Sequence, residues 1–506
     1  MKLWIRRGLI LALLLLPACA SAQPPLTDVN LWPTAAAIGG APIVTAGIVA
    51  VTPTRTPPPT RDPATTPTPD APRDADAHKT ELYIVQNGDS LAGIAAEYNT
   101  TVDDIAATNG LSDLSVIHPG DPLNVPLKID RVGPAIKLIP DSELVYGPGT
   151  SDFDVAAFVD HTSGYLKAFS EQVDGRWLTG AQIVQRVAQQ FSVNPRLLLA
   201  VLEYRGQWLS NATPTAEAQA YPVGFRQAGY QSLYQQLSYA ANHFNDGYYG
   251  WKYRAQQTVH LADYTRVLVG RGLNAGTVGV ETMLALDRLY DDWLVEIGPK
   301  GLIATYEKLF GDPFNYAVTI TPDGLTQPPL TLPWAIGEKW WYTGGPHGGW
   351  VAGSGWAAID FIPDGPILGC QPADQWELAI APGIIVRSEN GEVMEDLDGD
   401  GDERTGWEIF YMHVGSEGRV AVGTQVKVGD QIGHPSCEGG ASTATHLHLA
   451  RKYNGEWIPA AGPVPMVLDG WRVTGEATEY DGGLVKDTQV RVACECREDI
   501  KNGITR

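Results

Sequence analysis

Three folded regions of different class are predicted along this chain: a small α+β module, a central all-α domain and a C-terminal antiparallel β domain. Two observations carry that division. The chain has 506 residues, about three times the ~150 typical of one domain. Its apolar spacing also changes, from helical recurrence at i, i+3, i+4 and i+7 to short alternating strands with Gly turns after residue 334. A hydrophobic content of 44% suffices for buried cores, and 19% charged residues lies below a disordered profile.

Charge excludes one class of partner. With 36 Lys and Arg against 58 Asp and Glu, the formal charge is −22. A field of that sign repels phosphate backbones, so no nucleic acid partner is expected. Five cysteines are too few for a disulfide scaffold.

Residues 1–22 read as an export signal, with basic Lys2, Arg6 and Arg7, an apolar run from Leu9 to Leu16, and small residues after it. The run is about half of the ~20 residues a membrane-spanning helix needs. Two processing readings stand. Leu16-Pro17-Ala18-Cys19 resembles a bacterial lipobox, which would make Cys19 a lipid anchor in the membrane. Ala20-Ser21-Ala22 is an A-x-A site that would release a soluble protein. Residues 23–80 are a stalk. Its apolar stretch from Ala35 to Val51 is broken by Gly39, Gly40, Pro42 and Gly47, and residues 51–80 hold eight Pro and eight Thr. Such composition favours extended polyproline conformation over a core. From Thr52 to Lys79 it could reach at most about 85 Å, at ~3.1 Å per residue.

Residues 81–128 form the first module. Tyr83-Ile84-Val85 is a strand, Gly88-Asp89 a turn, and Leu91, Ile94, Ala95 and Tyr98 the apolar face of a helix that Asp89 or Ser90 can cap. A second helix runs near Val102 to Thr108, and Pro119-Gly120 turns into a closing strand through Leu123-Asn124-Val125-Pro126. Together these motifs resemble a LysM domain over nearly its whole length. The resemblance implies binding to N-acetylglucosamine-containing glycans such as peptidoglycan.

Residues 140–325 are predicted to be helical. Ile183, Val184, Val187, Ala188 and Phe191 recur at helical spacing, and Leu197 to Leu202 is wholly apolar, as in a buried helix. The segment Phe191 to Glu203 faintly resembles lysozyme-like transglycosylases. That resemblance implies a general acid at Glu203, although Tyr204-Arg205-Gly206 departs from the usual Glu-Ser pattern. The aromatic run from Tyr221 to Trp251 could stack on sugars or fill a core. His243 and His260 lack metal-like spacing and read as ordinary polar contacts.

Chemistry concentrates in residues 334–460. Five of the ten histidines fall between His347 and His448. His446 and His448 stand at i and i+2, which in a strand puts both on one face. His347, Asp360 and His413 precede them. Two His, one carboxylate and an open position suit hydrolytic zinc. Between them lie Ala381-Pro382-Gly383-Ile384-Ile385-Val386, Val426-Lys427-Val428-Gly429-Asp430 and a Gly/Ser loop. This order of parts resembles the M23 family of lysostaphin- and LytM-like zinc endopeptidases. The resemblance implies that His347, Asp360 and His448 hold Zn²⁺, that His446 is the general base and that His413 stabilises the developing oxyanion. The stretch Gly348 to Ile359 is longer than the family's usual spacing, so it either forms a loop over the cleft or misplaces His347. His434 reads as a rim residue.

A second ion is suggested by Asp396, Asp398, Asp400 and Asp402, which alternate with Leu397, Gly399 and Gly401 as in a calcium loop. The acidic residue expected at loop position 12 is replaced by Trp407, with Glu408 one later, and the flanks read as strands. The competing reading is a solvated acidic hairpin. Cys370, Cys437, Cys494 and Cys496 allow three pairings; a Cys370–Cys437 bridge would rigidify the cleft. Residues 461–506 are read as a C-terminal β extension.

The expectation is therefore an exported peptidoglycan hydrolase, a monomer, cutting peptide cross-links with Zn²⁺; two alternatives are a non-catalytic wall-binding regulator and a bifunctional enzyme with added glycan cleavage at Glu203.

Overall fold

The computed structural model describes residues 80–506, apart from 87, 99, 112–116, 128, 130 and 366–368. The export signal, Cys19 and the stalk up to residue 79 lie outside the described residues. Among the described residues no helix is long and apolar enough to cross a membrane.

In the first module β1 (Thr80–Ile84) pairs antiparallel with β2 (Pro122–Pro126), and α1 (Leu91–Glu97) and α2 (Val102–Asn109) lie between them. Ser90 is the cap of α1: the Gly93 N–H donates to its Oγ at 3.1 Å. Asp89 instead closes the turn, accepting from the Tyr83 hydroxyl at 2.6 Å and the Gln86 N–H at 2.7 Å. Leu91, Ile94, Ala95 and Tyr98 are buried against Ile105, Leu123 and Val125, so the spaced apolar face is the module's core.

The central domain holds α3 (Val155–Asp160), α4 (Gly180–Phe191), α5 (Pro195–Gly206), α6 (Ala216–Ala220), α7 (Leu233–Tyr253), α8 (Ala275–Ala285), α9 (Tyr290–Glu296) and α10 (Leu302–Phe310). It is not all-α. β3 (Ser170–Val173) and β4 (Arg176–Thr179) form one antiparallel hairpin, and β5 (Thr258–His260) and β6 (Arg266–Leu268) another. The first follows from Asp174-Gly175, whose φ values of 47° and 75° give the doubly left-handed turn that matches strand twist. Thr179 and Gln182 then cap α4 reciprocally. Leu197 to Leu202 are fully buried. Tyr248, Tyr249 and Trp251 are buried too, so this part of the aromatic run fills a core.

The C-terminal domain is built on an antiparallel sheet in the order β13-β10-β11-β12-β15-β8-β7-β21. These strands are β7 (Lys339–His347), β8 (Ala358–Pro363), β10 (Gly383–Glu389), β11 (Glu392–Asp396), β12 (Trp407–Met412), β13 (Gln425–Val426), β15 (Leu447–Tyr453) and β21 (Gly503–Thr505). β16 (Glu456–Trp457) extends β15, and β9 (Glu377–Leu378) pairs with β14 (Gln431–Gly433). The C-terminal residues supply a second sheet of β17 (Val467–Leu468), β18 (Trp471–Gly475), β19 (Gly482–Lys486) and β20 (Gln489–Val492), and β21 returns to the edge of the first.

Both faces of the large sheet are covered. Ile359, Phe361, Val393, Ile409, Tyr411, Leu447 and Leu449 point into a core shared with Leu468, Val473 and Leu484 of the second sheet. Alternate residues, among them Ala358, Met394, Phe410, Met412 and Ala450, join the core of the helical domain. Polar contacts follow the same junction. Gln190 of α4 donates to Glu392 at 2.7 Å, the Tyr253 hydroxyl donates to Glu456 at 2.7 Å, and the Trp457 N–H donates to the Tyr249 hydroxyl at 3.0 Å.

Charge is buried within the helical domain as well. Arg196 and Glu143 pair at 2.8 Å with side chains 5% and 0% exposed, and Asn194 and Tyr306 also donate to that carboxylate. Replacing Arg196 by Met leaves Glu143 short of its main counter-charge, an uncompensated buried anion costing about 3–5 kcal/mol. Urea unfolding followed by circular dichroism is the measurement, and Glu143→Leu added to Arg196→Met is expected to recover part of the loss. A single-variant loss below about 1 kcal/mol would show that the pair is not a buried structural charge.

Candidate metal centre

The i, i+2 period of β15 puts His446, just before the strand, and His448 on one face. Cross-strand pairing extends that face into a row, with Met412 of β12 opposite His448 and Asp360 of β8 on its other side. β7 then pairs Gly344 with Asp360 and His347 with Ala358. Three steps on β7 match two on β8, and this bulge is what brings His347 onto the face that carries Asp360. His347 is therefore not misplaced. The long segment after it borders His448 at Gly349 and then docks on the helical domain: the Gly353 N–H donates to Asn242 Oδ1 at 3.0 Å, and Trp350 packs edge-on against Phe191.

His347, Asp360 and His448 are all buried, and one donor atom from each lies within 4.8 Å of the others. His347 Nε2 is 3.0 Å from His448 Nδ1, and Asp360 Oδ1 is 3.3 Å from each. The far ring nitrogens face backbone carbonyls, His347 Nδ1 that of Gly345 at 2.8 Å and His448 Nε2 that of Gly349 at 3.0 Å. A carbonyl only accepts, so each neutral ring carries its proton there. Two lone pairs and a carboxylate oxygen then converge with no donor among them, and Asp360 Oδ1 makes no hydrogen bond. A divalent cation bound by nitrogen and oxygen resolves that arrangement, and the donor set suits zinc.

Burial alone would raise the Asp360 carboxyl, but the neighbouring His347 and His446 hold it well below the usual range, and the Asp360 carboxylate in turn raises His347 against its burial. Burial lowers His448, and burial together with the neighbouring His446 and His448 lowers His413 well below the usual histidine value.

His446 Nε2 lies 3.8 Å from Asp360 Oδ1, while its Nδ1 faces the Ala444 carbonyl at 2.8 Å. The His413 ring is 4.4 Å from that of His446, and its Nδ1 faces the Glu438 carbonyl at 3.1 Å. The five expected site residues are thus brought together. Cys370–Cys437 is a disulfide, as is Cys494–Cys496. The first ties the loop before β15 to residue 370, where Thr445 Oγ1 also donates to the Gln371 carbonyl at 2.6 Å.

Other candidates lie elsewhere. Glu203 is engaged in closing the turn after α5, accepting from the Leu209 and Ser210 N–H groups at 3.0 and 3.1 Å and from the Ser210 hydroxyl at 2.5 Å. His243 packs on Tyr239, His260 approaches the Thr258 hydroxyl, and His434 packs on Trp376. Tyr480, unmarked in the sequence, stacks on His347 with ring centres 4.2 Å apart. No spacing signal links it to the site, since it comes from the loop before β19.

Comparison with known proteins adds the following resemblances. The family model for the LysM domain matches residues 83–126, and that for the LasA N-terminal domain matches residues 137–323, the helical region. Protease LasA of Pseudomonas aeruginosa is 25% identical over 344 residues, covering 64% of this chain and 75% of that protein. Its counterpart from a second strain is 25% identical over 352 residues, covering 65% and 77%. Among solved structures, the M23 metalloprotease pseudoalterin from the deep sea aligns at 23% identity over 33% of this chain and 96% of its own, with a TM-score of 0.27. The catalytic domain of lysostaphin from Staphylococcus simulans aligns at 28% identity over 24% and 89%, with a TM-score of 0.17. The chain carries a LysM domain and resembles the M23 metallopeptidases.

Space at the centre is set by Gly344. A Cβ there would stand 2.5 Å from Asp360 Oδ2 and 3.0 Å from its Cγ. Gly344→Ala is therefore expected to push the carboxylate off its line and to weaken zinc retention by about tenfold or more, the scale of losses when a ligand's support is altered. Zinc content after dialysis against graded chelator checks this. Retention equal to wild type would show that Gly344 does not set the space for the Asp360 carboxylate.

Proposed function

We propose that this chain is an exported, zinc-dependent endopeptidase that cuts peptide cross-links of peptidoglycan, with the LysM module holding it on the glycan. The observation that carries the reading is the donorless convergence of His347 Nε2, His448 Nδ1 and Asp360 Oδ1. Export is supported by the character of residues 1–22 and by disulfides, which persist in oxidising compartments.

His347, Asp360 and His448 would hold the zinc. When bound, the ion polarises a scissile carbonyl and lowers the pKa of water towards ~7. The remaining work belongs to this chain's residues. His446 has its Nδ1 proton fixed on the Ala444 carbonyl, so Nε2 is free to take a proton, and its side chain is 18% exposed, the most open of the four imidazoles around Asp360. His413 is tied at Nδ1 to the Glu438 carbonyl, so its Nε2 also begins as an acceptor and supports developing negative charge only once protonated. The His347 and His448 rings are held by backbone carbonyls, which fixes their orientation before substrate arrives.

Mass analysis of muropeptides released from purified peptidoglycan tests this reading. Wild type is expected to contain zinc and to release free peptide ends. His446→Ala should keep its zinc and lose about 10²–10⁴-fold in rate, the worth of a positioned base. His448→Ala should lose both. A wild-type protein that binds no zinc and leaves every peptide intact would sink the proposal, and cut sugar chains would point to a glycosidase instead.

A further inference from the structure

The loop between β11 and β12 is outside the centre described above. Asp396, Asp398 and Asp400 present carboxylate oxygens within 4.8 Å of one another. The N–H groups of Asp398, Gly399 and Gly401 donate to Asp396 at 2.9, 3.1 and 2.7 Å, so the backbone wraps that carboxylate. Asp402 does not join them, because Arg404 donates to both of its oxygens at 2.5 and 2.8 Å.

An independent feature lies beneath. Glu408 is 0% exposed, and neither of its carboxylate oxygens has a hydrogen-bond partner. It is the cross-strand partner of Asp396, and residues directly opposite in an antiparallel pair project from the same face. Lys452, opposite Glu408 on β15, has its ammonium 3.6 Å from Glu403. Arg387 is divided between Glu392 and Glu403. These two cations pair with Glu392 and Glu403, and among the described residues no salt bridge reaches Glu408, Asp396 or Asp398. Burial first, and then the charge of Asp396, push the Glu408 carboxyl well above its ordinary range.

We propose that Asp396, Asp398 and Asp400 bind one calcium ion, with the unpartnered, buried side chain of Glu408 beside Asp396 on the same face of the sheet. All donors are carboxylate oxygens, which select hard cations over zinc, and calcium's adaptable coordination suits a protein loop better than the strict octahedron of magnesium. Glu408 stands on the strand one residue beyond the position where a helical calcium loop carries its closing carboxylate, and the sheet register returns it to Asp396. The same loop reaches the helical domain, through Arg404 Nη1 to the Thr150 carbonyl at 2.9 Å and Gln189 to Glu403 at 2.8 Å. An ion there would brace the junction of helices and sheet.

Calorimetry with CaCl₂ on the full chain is the test. One ion per chain is expected, with a dissociation constant of about 10⁻⁵–10⁻³ M, in the range of oxygen-ligand sites outside the cytosol. Glu408→Gln and Asp398→Asn are each expected to weaken binding about tenfold or more, whereas Asp402→Asn should stay within about threefold. Asp398 is exposed, so its variant keeps the test valid should Glu408→Gln fail to fold. No saturable binding up to about 10 mM CaCl₂ overturns the proposal. So does MgCl₂ binding as tightly as CaCl₂, or an Asp398→Asn protein that binds like wild type.

Discussion

Three acceptors that face one another without a donor are an unfavourable arrangement that folding has to impose. His347 Nε2, His448 Nδ1 and Asp360 Oδ1 repel unless a cation joins them, so the rest of the domain must hold them at 3.0–3.3 Å. The holding is local and backbone-based. Carbonyls of Gly345 and Gly349 fix the far nitrogens, the bulge in β7 turns His347 inward, and the absence of a side chain at Gly344 leaves room for the Asp360 carboxylate. Strain of this kind is tolerable only in a rigid surround.

That rigidity comes from a sheet packed on both faces. Because successive residues alternate, each central strand contributes one set to the core shared with β18 and β19 and the other to the core shared with α4 and α7. The metal row belongs to the second set. Met412 separates Glu392, held by Gln190 of α4, from His448, so the helical domain contacts the same row of side chains that ends at the centre. The insertion after His347 is another part of this junction, which explains its Gly and Trp content: Gly349 lies so close to Trp457 that a Cβ would stand 2.4 Å from that ring, and Trp350 fills the space beside Phe410.

How much of this was legible in the sequence depended on the range of the interaction. The His446–His448 pair was readable because a period of two is a property of the strand alone. The face of α1 and the buried run of α5 were readable for the same reason, through a period of 3.6. The bulge in β7 was not, since it is defined only against β8, and neither were the carbonyl of Gly349 or the ring of Tyr480, which arrive from loops. Asp402 looked equivalent to its neighbours in the acidic run, and only Arg404, placed by the hairpin, takes it away. The hairpin at Asp174-Gly175 was a local signal that the surrounding helical periodicity obscured.

The LysM module is joined to this assembly by more than a linker. Glu81 of β1 accepts from Arg266 and Thr258 at 2.6 Å each and from Tyr98 at 2.8 Å, and the Arg266 guanidinium sits 3.5 Å from the centre of the Tyr98 ring. Arg266 and Glu81 are both buried, so the pair is made only while the module stays against β6. A module held this way has a set orientation rather than a range of tethered ones. Thr478, in the loop that carries Tyr480 to His347, meets the Gly120 carbonyl of the LysM turn at 3.4 Å, so the module also borders the loop that packs on His347. On the proposed function, binding at the module and chemistry at the centre would share one geometry, which constrains where a cross-link can enter.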